Sequence, residues 1–150
     1  MSIYGENDKQ GQYWNEAPGQ SWVINDTAMN ERLETISDIL FEGLDPNGCN
    51  NGLDIGCGAG STTRRLATIM GNRAKVTGLD ISEKLLALAR SHSESSGKNF
   101  LQADAQSYKF EPEGFDLAIS RFGVMFFENP FKAFQNIKSA IQKGREMRFV

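Results

Sequence analysis

The chain has 150 residues, of which 39% are hydrophobic and 23% charged, the composition of a globular protein with room for one domain core. Its formal net charge of -3 gives no general attraction to phosphate backbones or anionic lipid, so nucleic acid is not an expected partner. No stretch approaches the roughly 20 apolar residues of a membrane span. The polar start MSIYGENDKQ lacks the apolar centre of a secretory signal, so a cytoplasmic location is expected.

Residues 1–25 are polar, interrupted by Gly5, Gly11, Pro18 and Gly19, and carry Tyr4, Tyr13, Trp14 and Trp22. They read as a loosely structured arm, in which Trp14 and Trp22 are either a lid or satellite core aromatics. The domain proper is expected over 26–150. Met29, Leu33, Ile36, Leu40 and Leu44 recur at spacings of three and four, which predicts one helix started by Asp26 or Thr27 and ended by the turn at 45–48.

Short apolar runs then alternate with helical patterns. Strands are predicted at 52–55, 74–80, 99–103, 115–120 and 146–150. Ser61 and Ser82 are placed as caps of the first two intervening helices. Asn129-Pro130 starts a third, since Asn caps and proline suits the first helical position. That helix would present Phe131, Phe134, Ile137 and Ile141 on one side. Such alternation implies right-handed crossovers and a mainly parallel sheet covered on both faces.

Cys49 and Cys57 flank the first strand; an extended segment cannot bring its own ends within bridging distance, so both are expected as free thiols. No Cys/His cluster has metal-ligand spacing. His92 reads as a solvated residue at a helix end, and Phe126 and Phe127 as core.

The most informative segment is Asp54-Ile55-Gly56-Cys57-Gly58-Ala59-Gly60-Ser61, glycines at alternate positions between a strand and a helix. Glycine permits positive φ and close approach of a ligand to the main chain, and the following helix aims free N–H groups at it. A dinucleotide fingerprint, G-x-G-x-x-G, would need glycine where Ser61 stands.

This segment resembles the first motif of class I S-adenosylmethionine-dependent methyltransferases. Asp80-Ile81 after the second strand, Asp104-Ala105 after the third and Ser120-Arg121-Phe122-Gly123 after the fourth fall where that family places its other motifs. The run 115–130 is similar to the small-molecule branch related to quinone-biosynthesis methyltransferases. The resemblance implies a Rossmann-like three-layer α/β/α fold with about five strands. It also implies S-adenosylmethionine as cofactor and S-adenosylhomocysteine as product. It further implies that the backbone of Gly56, Cys57 and Gly58, in the loop that Gly60 completes, faces the methionine part of the donor. Asp54 would order that loop or receive the ammonium group. Asp80 would accept from the ribose hydroxyls, Ile81 pack on adenine, Asp104 accept from its amino group and the Ala105 N–H meet a ring nitrogen. Ser120 and Phe122 would border the sulfonium, Ser120 through its main chain.

No catalytic side chain is expected, because a sulfonium is already a good leaving group. The Asn/Asp-Pro-Pro-Tyr/Phe tetrapeptide of amino-directed DNA methylases is absent after the fourth strand, which favours a small-molecule acceptor. Members of the family continue past the fifth strand with a helix and two more strands, so the chain is expected to be truncated. Its last strand would then be an open edge available to a second copy, and turnover could be lost or depend on a partner. The competing expectations are a noncatalytic donor-binding module and an NAD-binding oxidoreductase fragment.

Overall fold

The computed structural model describes residues 6–93 and 98–150; Tyr4 and Gly5 of the expected arm lie outside them. Five strands, β1 (Asn51–Ile55), β2 (Lys75–Asp80), β3 (Lys98–Gln102), β4 (Phe115–Ser120) and β5 (Ile141–Phe149), form one sheet in the order β3-β2-β1-β4-β5. Every ladder is parallel. The helices are α1 (Asp8–Asn15), α2 (Ala17–Ile24), α3 (Asp26–Arg32), α4 (Glu34–Phe41), α5 (Ser61–Met70), α6 (Glu83–Ser91) and α7 (Pro130–Ala140). This is the Rossmann-like architecture expected.

Alternation along the strands divides the core. Leu117 and Ile119 of β4 join Leu40 and Phe41 of α4 and Leu66 of α5. Ala118 between them joins Leu53, Ile55 and, from α7, Ile137. The helices therefore cover both faces, and the central strands are buried on each side.

Several local expectations are corrected. The arm is helical, not loose: Pro18 lies in the first turn of α2, where its missing N–H costs nothing, and so starts a helix. Gly19 lets α2 press against the Trp14 carbonyl, where any Cβ would collide. The single helix expected from Asp26 is two, broken at Leu33 (φ -96°, ψ 7°). That bend lets α3 border the crevice while α4 sends Leu40 and Phe41 into the core.

Ser61 is not a cap. Gly60, in the left-handed region at φ 82°, takes the capping position, and the Ser61 hydroxyl donates instead to Asn30 Oδ1 at 2.9 Å. Ser82 and Asn129 do cap α6 and α7, accepting from Leu85 N and Lys132 N. On α7 the buried side is Ala133, Ile137 and Ala140, small enough to admit close packing, whereas Phe131 is 74% exposed. Ile141 already belongs to β5, whose register slips around Gly144 before settling at Leu117↔Glu146.

Candidate functional site

Strand order reverses between β1 and β4, and at such a switch point the loops leave the sheet in opposite directions and open a crevice at the carboxyl ends of the strands. A cavity of about 320 Å³ lies there. Its floor is the turns after β1, β2, β3 and β4; its roof is α1, α2, α3 and a short 3-10 helix, Gly123–Phe126.

The turn after β1 is shaped by backbone demands that only glycine meets. Gly56 has φ 67°, and a Cβ on it would lie 2.5 Å from the Gly123 Cα, so the β1 and β4 turns cross in contact. Gly58 has φ 54°, but a Cβ there would meet nothing within 4 Å; that space belongs to the cavity. The turn is anchored through Gly56 N and Cys57 N, both donating to Leu79 O.

Asp80 connects the turns after β1 and β2. Its Oδ2 accepts from Gly58 N at 2.8 Å and its Oδ1 from Ser82 N at 2.9 Å. The Ile81 N–H also acts on the carboxylate, which borders the cavity with acceptor capacity left over. Burial raises its pKa above the usual carboxylate range, against the pull of the Ser82 and Gly58 N–H groups.

Asp54 is wholly buried. Its Oδ2 accepts from Thr62 and Thr63 hydroxyls at 2.7 Å each, while Oδ1 has no partner among the described residues. Burial drives its pKa up to about 6, with the two threonine bonds opposing. Burial, then the neighbouring Asp80 and Asp54, push the Cys57 thiol up, so it stays neutral and unreactive; both cysteines are free.

Asp104 Oδ1 accepts from Asn7 Nδ2 at 2.7 Å and from Gln106 N, and Oδ2 accepts from the Ser107 hydroxyl. Asn7 in turn accepts from Glu128 N, and Glu6 pairs with Lys132. The segment before α1 is thus tied across the turn after β3. At the far end of α1, Asn15 donates to Ile81 O and accepts from Glu83 N, and the Ser82 hydroxyl donates to Trp14 O.

Gly56, Cys57, Gly58, Asp80, Ile81, Asp104, Ala105 and Phe122 all line the cavity. Asp54, Gly60 and Ser120 stand behind it: Asp54 holds α5, Gly60 packs against Phe100 and Ala89, and the Ser120 hydroxyl donates to Ile55 O. Phe122 has φ 64°, strained for a side chain with a Cβ, and this conformation turns the chain from β4 into the 3-10 helix at the cavity wall.

Sequence reasoning missed Asn7, Asp26, Asn30, Leu33, Arg121 and Met125 as lining residues. Phe127 packs on the core as expected and also borders the cavity, whereas Phe126, expected in the core, is 39% exposed and reaches the cavity through its edge-on contact with Trp14 at 5.5 Å. Trp14 and Trp22 line the roof together, 6.0 Å apart. Only the aromatics carried a signal, as an unusual load in a polar segment; the polar contacts join residues far apart in sequence.

A methyltransferase domain family matches residues 53–147, and the chain belongs to that family. A Synechocystis 2-phytyl-1,4-naphtoquinone methyltransferase is 30% identical over 99 residues, covering 63% of this chain and 42% of that enzyme. The chain spans less than half the length of the curated relatives it matches. Among solved structures, an S-adenosylmethionine dependent methyltransferase from Mesorhizobium loti is 28% identical with a TM-score of 0.69, covering 78% of this chain and 54% of that one. The cyclase SpnF superposes with a TM-score of 0.78 at 21% identity over 97% of this chain and 60% of that one, a likeness of fold that includes the helical N-terminal region. Family membership removes the dinucleotide reading.

Proposed function

We propose that the cavity binds S-adenosylmethionine and that the chain directs its methyl group to a small-molecule acceptor of apolar, quinone-like character. One observation carries this reading: the turns after four parallel strands bring Gly56–Gly58, Asp80 and Asp104 to a single cavity. The fit is physical. Asp80 borders the cavity with acceptor capacity left for a ribose hydroxyl, and Gly58 leaves open the volume that a side chain would fill.

When bound, the cofactor supplies an electrophilic methyl on a sulfonium, a good leaving group. The protein's part is placement. Gly56, Cys57 and Gly58 face the methionine portion with main chain, Asp80 holds the ribose, and Ile81 packs on adenine. Asp104 keeps a lone pair on Oδ2 for the adenine amino group, and the Ala105 N–H meets a ring nitrogen. Asp54 acts at one remove by holding Thr62 and Thr63 of α5, and so orders the loop that Gly60 ends. The aromatic roof excludes water and aligns the acceptor, contributions that come from proximity and desolvation. Phe122 borders the reacting centre, and Ser120 fixes the β4 end behind it.

No helix among the described residues is long and apolar enough to cross a membrane. With free thiols and mild acidity, the proposal extends to a reducing, cytoplasmic setting without nucleic acid. A ligand that binds only the folded state raises the melting temperature. S-adenosylhomocysteine at millimolar concentration is expected to raise it by several degrees and NAD to leave it unchanged. The reverse pattern would overturn the proposal.

A further inference from the structure

Arg121, the first residue after β4, is a half-buried guanidinium that borders both the main cavity and a shallower depression beside it. Its Nη1 donates to the Ser37 hydroxyl at 2.8 Å, and its Nη2 donates to Asn30 Oδ1 at 2.8 Å and to the Ser61 hydroxyl at 3.4 Å. All three acceptors are neutral, and no carboxylate among the described residues lies within ion-pair distance. A guanidinium has five N–H donors, so the Nε–H and one Nη1–H remain without an acceptor among the described residues. Taking a cation out of water without a paired anion is costly, and the remaining N–H donors can each meet one oxygen of a carboxylate or similar oxyanion.

The surroundings define what such an anion would be attached to. Trp22, Leu33, Met125 and Phe126 supply the apolar walls of the same cavity. Asp26, also on that wall and 8% exposed, accepts at Oδ1 from the Asn30 amide at 2.9 Å, and the Asn30 oxygen in turn accepts from Arg121. This chain fixes the guanidinium, and the nearby Asp54 and Asp26 charges cancel part of its field, which favours a singly charged anion over a dianion.

Resting on the reading of the cavity as a methyl-transfer site, we infer that Arg121, oriented by Asn30 and Asp26, is the specificity determinant for the acceptor, selecting an apolar body that bears a single anionic oxygen group, a carboxylate or phenolate.

The test is calorimetric titration of the whole chain with 2-naphthoate, 2-naphthalenemethanol and 2-naphthyl phosphate, each with and without S-adenosylhomocysteine. Naphthoate is expected to bind about tenfold tighter than the neutral alcohol, and the dianionic phosphate no tighter than naphthoate. Arg121→Gln is expected to abolish that preference while S-adenosylhomocysteine still binds. Asp26→Asn, which keeps the acceptor for Asn30 but removes the opposing charge, is expected to tighten naphthoate about threefold and remains decisive should the glutamine variant not fold. Equal affinity for naphthoate and the alcohol in the native chain, a preference retained in Arg121→Gln, or no tightening in Asp26→Asn overturns the inference. Failure of the donor reading shows separately, as absence of heat from S-adenosylhomocysteine.

Discussion

Three of the four carboxylates that border or support the crevice have surroundings that set different tasks. Asp80 is held by the backbone of Gly58 and Ser82 and borders the cavity. Asp104 shares its oxygens among Asn7, Gln106 and Ser107. Asp54 is sealed in with one oxygen unpartnered, which explains why burial raises its pKa to about 6. Its folded-state pKa lies above the unfolded value near 3.8, so the folded form holds the proton longer. The cost of ionising it is absent at pH below 3.8, grows as pH rises toward 6 and is constant above, about 3 kcal/mol in total. Urea unfolding from pH 4 to 7 is expected to show this fall in the native chain and to show it much reduced in Asp54→Asn. Parallel profiles would contradict it. At Gly56, alanine meets both a positive φ and the Gly123 backbone. A loss of about 2–4 kcal/mol in unfolding free energy is expected; a loss below the strain of one left-handed residue would show that the turns do not touch.

At the scale of elements, α6 illustrates how the N-terminal helices are built into the domain. The Ser82 hydroxyl caps α6 through Leu85 N and also donates to Trp14 O, so one side chain fastens α1 to the turn after β2. Ser82→Ala is expected to cost about 1–2 kcal/mol of stability and to raise the solvent exposure of the tryptophans, read as a red shift in their fluorescence. An unshifted spectrum would show that α1 is held elsewhere. Ser82 and Asn129 were legible because capping is local chemistry, written within four residues. The glycine turn was legible for the same reason. The break at Leu33 was not, because an apolar stripe reads the same whether one helix carries it or two. Phe131 misled for a related reason: periodicity marks apolar residues, but the small Ala133 and Ala140 are what the sheet can accept closely. Asn7 on Asp104 and Asn30 on Arg121 join residues that sequence separates widely, and nothing local encodes them.

For the whole molecule, the fold gathers four strand exits beneath a roof drawn from the N-terminal helices and from the 3-10 helix after β4, so the cavity joins parts of the sequence that lie far apart. The β5 strand pairs with β4 alone among the described strands, which leaves its other edge open. The central claim, that the cavity grips a sulfur-bearing nucleoside by its sugar, is most directly tested by titrating S-adenosylhomocysteine into the native chain and Asp80→Ala side by side. One ligand per chain is expected, with affinity about 10- to 100-fold weaker in the variant. Equal affinities, or no binding by either protein at millimolar ligand, would contradict it.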